Sequence, residues 1–152
     1  MAITDSAFKG LSHSYQGYGK FSDGAEIMEG YKPDYVLKKE NQYVILESEN
    51  NTNRKMFVGC LMKAAYFLRN ENAGFLVIVL HEHDNTTLEQ IWKHLVPYFQ
   101  WIKKGGLTNM EKVYLIKDED YRTGDKTCHP IDSEAFLSKA KVIDEETDLN
   151  NL

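Results

Sequence analysis

The sequence predicts an α/β domain with a mixed central sheet and a helix on each face. Three observations predict it. Runs rich in β-branched and aromatic residues at 35–38, 43–49, 74–80 and 113–116 read as strands. Two longer stretches, beginning at 53 and 88, repeat apolar residues at helical spacing. The resulting order is helix, three strands, helix, strand, helix, strand, so the later strands are joined by helical crossovers.

Each element has its own signal. The first 25 residues are rich in Gly, Ser and Tyr, with a short helix expected over Thr4 to His13 and then a loop. Ala25 to Glu29 reads as a short strand, punctuated by Gly30 and Pro33. Tyr35 to Lys38 and Tyr43 to Glu49 read as an antiparallel hairpin around Lys39-Glu40-Asn41-Gln42. Apolar residues on both faces of these strands imply a sheet covered on both sides. Asn53 can cap a helix to about Arg69, with Met56, Phe57, Cys60, Leu61, Ala64, Phe67 and Leu68 on its apolar stripe. Gly74 to Leu80 is a buried strand. Thr87 and Gln90 form a capping-box pattern ahead of a helix that turns Leu88, Ile91, Trp92, Leu95 and Phe99 inward. Pro97 should kink it and Gly105-Gly106 end it. Val113 to Ile116 is a further strand. A polar loop over Asp118 to His129 leads to a short helix near Ser133 to Ala140.

The chain has 152 residues, 42% hydrophobic and 27% charged, which fits one domain over 1–143 followed by an acidic, disordered tail over 144–152. No apolar run reaches the roughly 18 residues of a membrane span. The N-terminus lacks the basic and apolar regions of a secretory signal, and Cys60 and Cys128 have no metal-ligand spacing. A reducing, cytoplasmic setting is the expectation. Net charge is -5, which weighs against a nucleic-acid partner. Four of the acidic residues, however, sit in the tail segment Asp144 to Asp148, and the remaining domain is nearly balanced.

The chemistry concentrates in Pro33-Asp34, twelve further residues, and Glu47-Ser48-Glu49. If Glu40-Asn41 is a two-residue turn, Lys39 faces Gln42, Lys38 faces Tyr43, and Asp34 falls opposite Glu47. Alternation puts Glu47 and Glu49 on one face, and cross-strand pairs share a face, so Asp34, Glu47 and Glu49 converge. Like charges so placed are unfavourable unless one keeps a proton or a cation binds. Hard oxygen ligands of this kind suit Mg²⁺ or Mn²⁺, and such an ion supports phosphodiester hydrolysis.

Pro-Asp, a short spacer, then Glu-x-Glu at a strand end before a helix resembles the PD-(D/E)xK nuclease superfamily, the restriction-endonuclease-like proteins. The resemblance covers residues 25 to 80 and implies the family's αβββαβ core. It implies an Mg²⁺- or Mn²⁺-dependent DNA endonuclease in which Asp34 and Glu47 are metal ligands. Glu49 takes the place of the usual Lys, as a further ligand that binds or orients the attacking water. Lys55 could supply the missing positive charge from a displaced position, and Glu29 an extra ligand. A duplex cut needs two sites, so a homodimer is expected. The second expectation is a catalytically inactive nuclease-fold module for nucleic-acid binding or protein assembly, favoured by the Lys-to-Glu departure and the acidic charge.

Asn51, Asn53 and Arg54 leave the Glu-x-Glu strand and could contact phosphates or base edges, although a helix-entry loop capped by Asn53 explains them equally. Tyr15, Tyr18 and Phe21 read either as a base-stacking surface or as packing over a core edge. His81 and His83 lack a third zinc partner, and loop polarity accounts for them. No Gly-rich phosphate loop or nucleophile motif supports a small-molecule enzyme.

Overall fold

In a computed structural model, residues 2–148 are described. Eleven elements run in the order α1 (Asp5–Lys9), β1 (Gly19–Ser22), β2 (Tyr35–Lys39), β3 (Gln42–Glu49), α2 (Arg54–Phe67), β4 (Ala73–Leu80), α3 (Leu88–Lys104), β5 (Met110–Lys117), α4 (Asp118–Tyr121), α5 (Glu134–Lys139) and β6 (Lys141–Ile143). They build one six-stranded mixed sheet whose spatial order equals the chain order, β1-β2-β3-β4-β5-β6. The β3–β4 and β4–β5 pairs are parallel, and the others are antiparallel.

The β2–β3 hairpin has the register that a two-residue turn dictates, with Lys39 opposite Gln42 and Tyr35 opposite Leu46. Glu40 takes φ 55, the sign a primed hairpin turn needs at its first central position. At the same end of β3, Gly74 has φ 142, and a Cβ there would lie 1.9 Å from the Tyr43 carbonyl oxygen, so β3 and β4 meet where only glycine fits.

Alternation divides the core. Tyr43 and Ile45 of β3 with Leu76, Ile78 and Leu80 of β4 pack under α2 and α3. Val44, Leu46, Phe75, Val77 and Val79 pack under α1, Tyr121 and Phe136 on the opposite face. The two crossovers each step one strand in the same direction, so both long helices lie on the same face. The other face is covered by the short helices and the N-terminal segment. The helix caps follow the sequence: Asn53 accepts from Lys55 N–H, and Thr87 and Gln90 form a complete capping box. Pro97 lies within an unbroken α3.

Some elements depart from expectation. The first strand is Gly19–Ser22, whereas 25–29 is not a strand and Met28 makes only an isolated bridge to Tyr31. The reason is local: Lys20 and Ser22 pair with β2 around a bulge at Phe21, while Gly30 at φ 78 turns the later segment back on itself. The polar loop from Asp118 begins with the one-turn α4, and β6 adds an edge strand. Within 144–148, Thr147 N–H bonds Asp144 O and Gln100 donates to Thr147 O at 2.6 Å. Residues 149–152 of the expected tail lie outside the described residues. Among the described residues no helix is long and apolar enough to cross a membrane.

A carboxylate cluster at the carboxyl edge of the sheet

Beyond its last pair, the hairpin brings Asp34 opposite Glu47. The backbone N–H of Asp34 donates to Glu47 Oε1 at 3.0 Å, and that of Ser48 donates to Asp34 Oδ2 at 2.8 Å. Each acid is thus anchored to the other's strand. Glu49, two residues on, shares the Glu47 face and accepts the N–H of Asn51 at 3.1 Å. These groups line a pocket of about 460 Å³ with Ile3, Asp5, Ser48 and Asn50. The pocket sits at the carboxyl ends of the parallel strands, where ligands of open α/β sheets bind.

Electrostatically, the pocket is poorly compensated. Burial pushes Glu47 up from its usual 4.5 to about 7, and the neighbouring Asp34 charge adds to this. Asp34 is raised by burial and by Asp5, against the Ser48 hydrogen bond and the charge of Lys9. Burial also raises Glu49, with Asp34 adding to it. Among the described residues no salt bridge neutralises Asp34, Glu47 or Glu49. Behind Glu47, the Cys60 thiol on α2 donates to Oε2 at 3.5 Å.

Asp5 is the acid that sequence reasoning does not reach. It stands in the first turn of α1, and a loop-rich segment separates it from Asp34. Its placement depends on long-range anchors of the N-terminal segment. The buried His13 bonds Tyr121 through Nδ1 and Phe8 O through Nε2, both at 2.6 Å.

The remaining candidates fall variously. Asn51 lines the pocket. Asn53 spends its side chain on the cap, and Arg54 donates to Asn85 O at 3.2 Å. Lys55 is exposed in the first turn of α2, outside the pocket lining, and so is Glu29 on its loop. Tyr15 and Tyr18 pack edge-on over the core, Tyr15 with Phe75 at 5.3 Å, and Phe21 rests on Tyr43 at 5.6 Å. These rings pack against the domain's own aromatic residues, in agreement with the packing reading. Trp92 is core and donates to Val142 O, whereas Trp101 is exposed.

His81 lies closer to the cluster than loop polarity suggests. Its backbone N–H donates to Glu49 O at 3.0 Å, and its Nδ1 meets Asp118 Oδ2 at 2.8 Å. A second pocket, of about 390 Å³, holds His81, Asp118 and Arg122 and shares Ile3 with the first. His83 instead ties to Asn50 O at 3.0 Å, fastening the loop after β4 to the loop after β3.

Among the described residues no group of three or more His, Cys, Asp or Glu side chains is gathered to hold a metal ion. The donor chemistry nevertheless fits a hard divalent cation: carboxylate oxygens, partly desolvated, raised toward protonation and without an ion-pair partner. No family model matches the chain, and no curated protein or solved structure matches it either.

Proposed function

We propose that the chain is a Mg²⁺- or Mn²⁺-dependent DNA endonuclease acting at the Asp34–Glu47–Glu49 cluster. The observation that carries this reading is the reciprocal anchoring of Asp34 and Glu47 at the sheet edge, with Glu49 beside them and, among the described residues, no basic side chain in a salt bridge with any of the three. The αβββαβ order of α1 through β4 supports a restriction-endonuclease-like core.

In this reading Asp34, Glu47 and Glu49 hold the ion. When bound, it supplies a Lewis acid for a phosphate oxygen and lowers the pKa of a water. The chain's own contribution is orientation. The Asp34 and Ser48 N–H groups fix the two anchored carboxylates, and the Asn51 N–H fixes one oxygen of Glu49, leaving its carboxylate to orient the water in place of a lysine. Asp5 adds negative charge to the wall of the pocket.

The test is cleavage of supercoiled plasmid and of branched DNA with Mg²⁺ or Mn²⁺, comparing wild type with Asp34→Ala and Glu47→Ala. Metal-dependent cleavage by wild type and a loss of at least about a hundredfold in both variants is expected, as for removal of a catalytic group. A folded wild type that neither cuts DNA nor binds Mn²⁺ would overturn the catalytic reading. The chain would then stand as a nuclease-fold binding or assembly module, the reading that the absence of a gathered metal group among the described residues favours.

A further inference from the structure

The His-x-His that follows β4 is held from both sides. Each ring has one nitrogen on an oxygen acceptor at the end of a neighbouring strand. His81 Nδ1 meets Asp118 Oδ2 at 2.8 Å, just past β5. His83 Nε2 meets Asn50 O at 3.0 Å, just past β3. Asp118 is buried and is itself fixed, its Oδ1 accepting the Glu119 N–H at 2.8 Å.

A carboxylate or carbonyl oxygen can only accept, so these contacts place a ring proton on His81 Nδ1 and on His83 Nε2. The opposite nitrogens, His81 Nε2 and His83 Nδ1, then carry lone pairs. Among the described residues neither has a protein hydrogen-bond partner, and both side chains are partly exposed. This is the form in which histidine ligates a metal: one nitrogen free, the other N–H held by an oxygen that orients the ring and raises its basicity. The spacing agrees. The ring centroids are 5.3 Å apart with the planes at 75°. Two imidazoles on one ion, with bonds of about 2.0 Å at a tetrahedral angle, set their centroids roughly 5 Å apart.

We propose that His81 and His83 form a site for one nitrogen-preferring divalent ion of the Zn²⁺ class, separate from the carboxylate cluster. His81 Nε2 and His83 Nδ1 are its ligands, and Asp118 and Asn50 are positioning residues that hold the rings. Water fills the other positions, since among the described residues no third His, Cys, Asp or Glu is gathered with them. Imidazole suits Zn²⁺, whereas carboxylate oxygens suit Mg²⁺ and Mn²⁺, so the two sites differ in the ion they take. A bound ion ties the loop after β4 more firmly to the ends of β3 and β5.

The experiment follows Zn²⁺ added to the whole protein by nitrogen NMR of the histidine rings, with calorimetry for affinity. His81 Nε2 and His83 Nδ1 should shift together and saturate at one ion per chain. His81→Ala and His83→Ala should each weaken binding at least about tenfold, and Asp118→Asn about tenfold, the effect of losing an orienting carboxylate. The ring response is read on wild type, so a variant that fails to fold does not blunt the test. Asp34→Ala should leave that response unchanged, which keeps this site apart from the cleavage reading. Ring nitrogens that do not move, shifts at His13, His94 or His129 instead, or a separate ion on each ring would overturn the proposal. A ring response lost in Asp34→Ala would overturn it too, by placing the ion at the carboxylates.

Discussion

At the scale of single residues, two buried titratable groups act on stability with opposite sign. Glu47 ionises at about 7 in the fold against 4.5 ordinarily, so its contribution is fully present below pH 4.5 and is lost as pH rises through 7. The magnitude is at most about 3 kcal/mol. Burial lowers His13 from 6.5 to about 4, so its contribution is present above pH 6.5 and is lost as pH falls through 4. The two windows overlap, and wild-type urea midpoints should change little across pH 5 to 6. Glu47→Gln should expose the falling limb, losing stability as pH drops below 6.5. His13→Asn should expose the other limb, gaining stability toward acid, and at pH 8 Glu47→Gln should be more stable than wild type. Parallel pH profiles in the two variants would contradict this. The Asp34–Glu47 juxtaposition was legible in the sequence because strand pairing is arithmetic once the turn is fixed. Asp5 was not, because nothing local encodes where α1 docks, and the Cys60 contact was hidden in a residue that reads as plain core stripe.

At the scale of elements, two backbone positions set the geometry that the site inherits. Gly74 permits the approach of β4 to β3, and Gly74→Ala would drive a methyl group into the Tyr43 carbonyl. Its expected cost is about 3 kcal/mol or more in chemical denaturation, the class of effect reserved for a steric conflict inside a sheet. Glu40 holds a left-handed φ of 55 at an exposed turn, and Glu40→Gly should gain about 0.5 kcal/mol without moving the register. An amide spectrum showing altered Asp34 and Ser48 environments in Glu40→Gly would contradict the register argument. Long elements were legible, since α2 and α3 carry caps and periodic apolar positions and β4 an unbroken apolar run. The edges were not. The first strand is four residues with a bulge and a mostly exposed pattern, and the last is three residues, so neither carries enough alternation to be distinguished from loop.

At the scale of the whole molecule, β4 belongs to both cores, sending Leu76 and Ile78 to one face and Phe75 and Val77 to the other. The two faces should therefore unfold together. Near-ultraviolet dichroism and tryptophan fluorescence, the latter reporting the buried Trp92 of α3, are expected to give coincident urea transitions. Separate midpoints would mean that the layers are independent. The matching of spatial and chain order in the sheet carries a further consequence, for the protein during its synthesis. Each strand emerging from the ribosome finds its partner already made, so the hairpin with Asp34, Glu47 and Glu49 can form early. The amino-terminal segment cannot settle in the same way, because its anchors are Tyr121, the Lys126 carbonyl that receives Ser12 N–H, and the Ile131 N–H that donates to Ser14 O. Asp5 thus waits for the anchors at Tyr121, Lys126 and Ile131, and the acidic pocket is completed only after that stretch has been made.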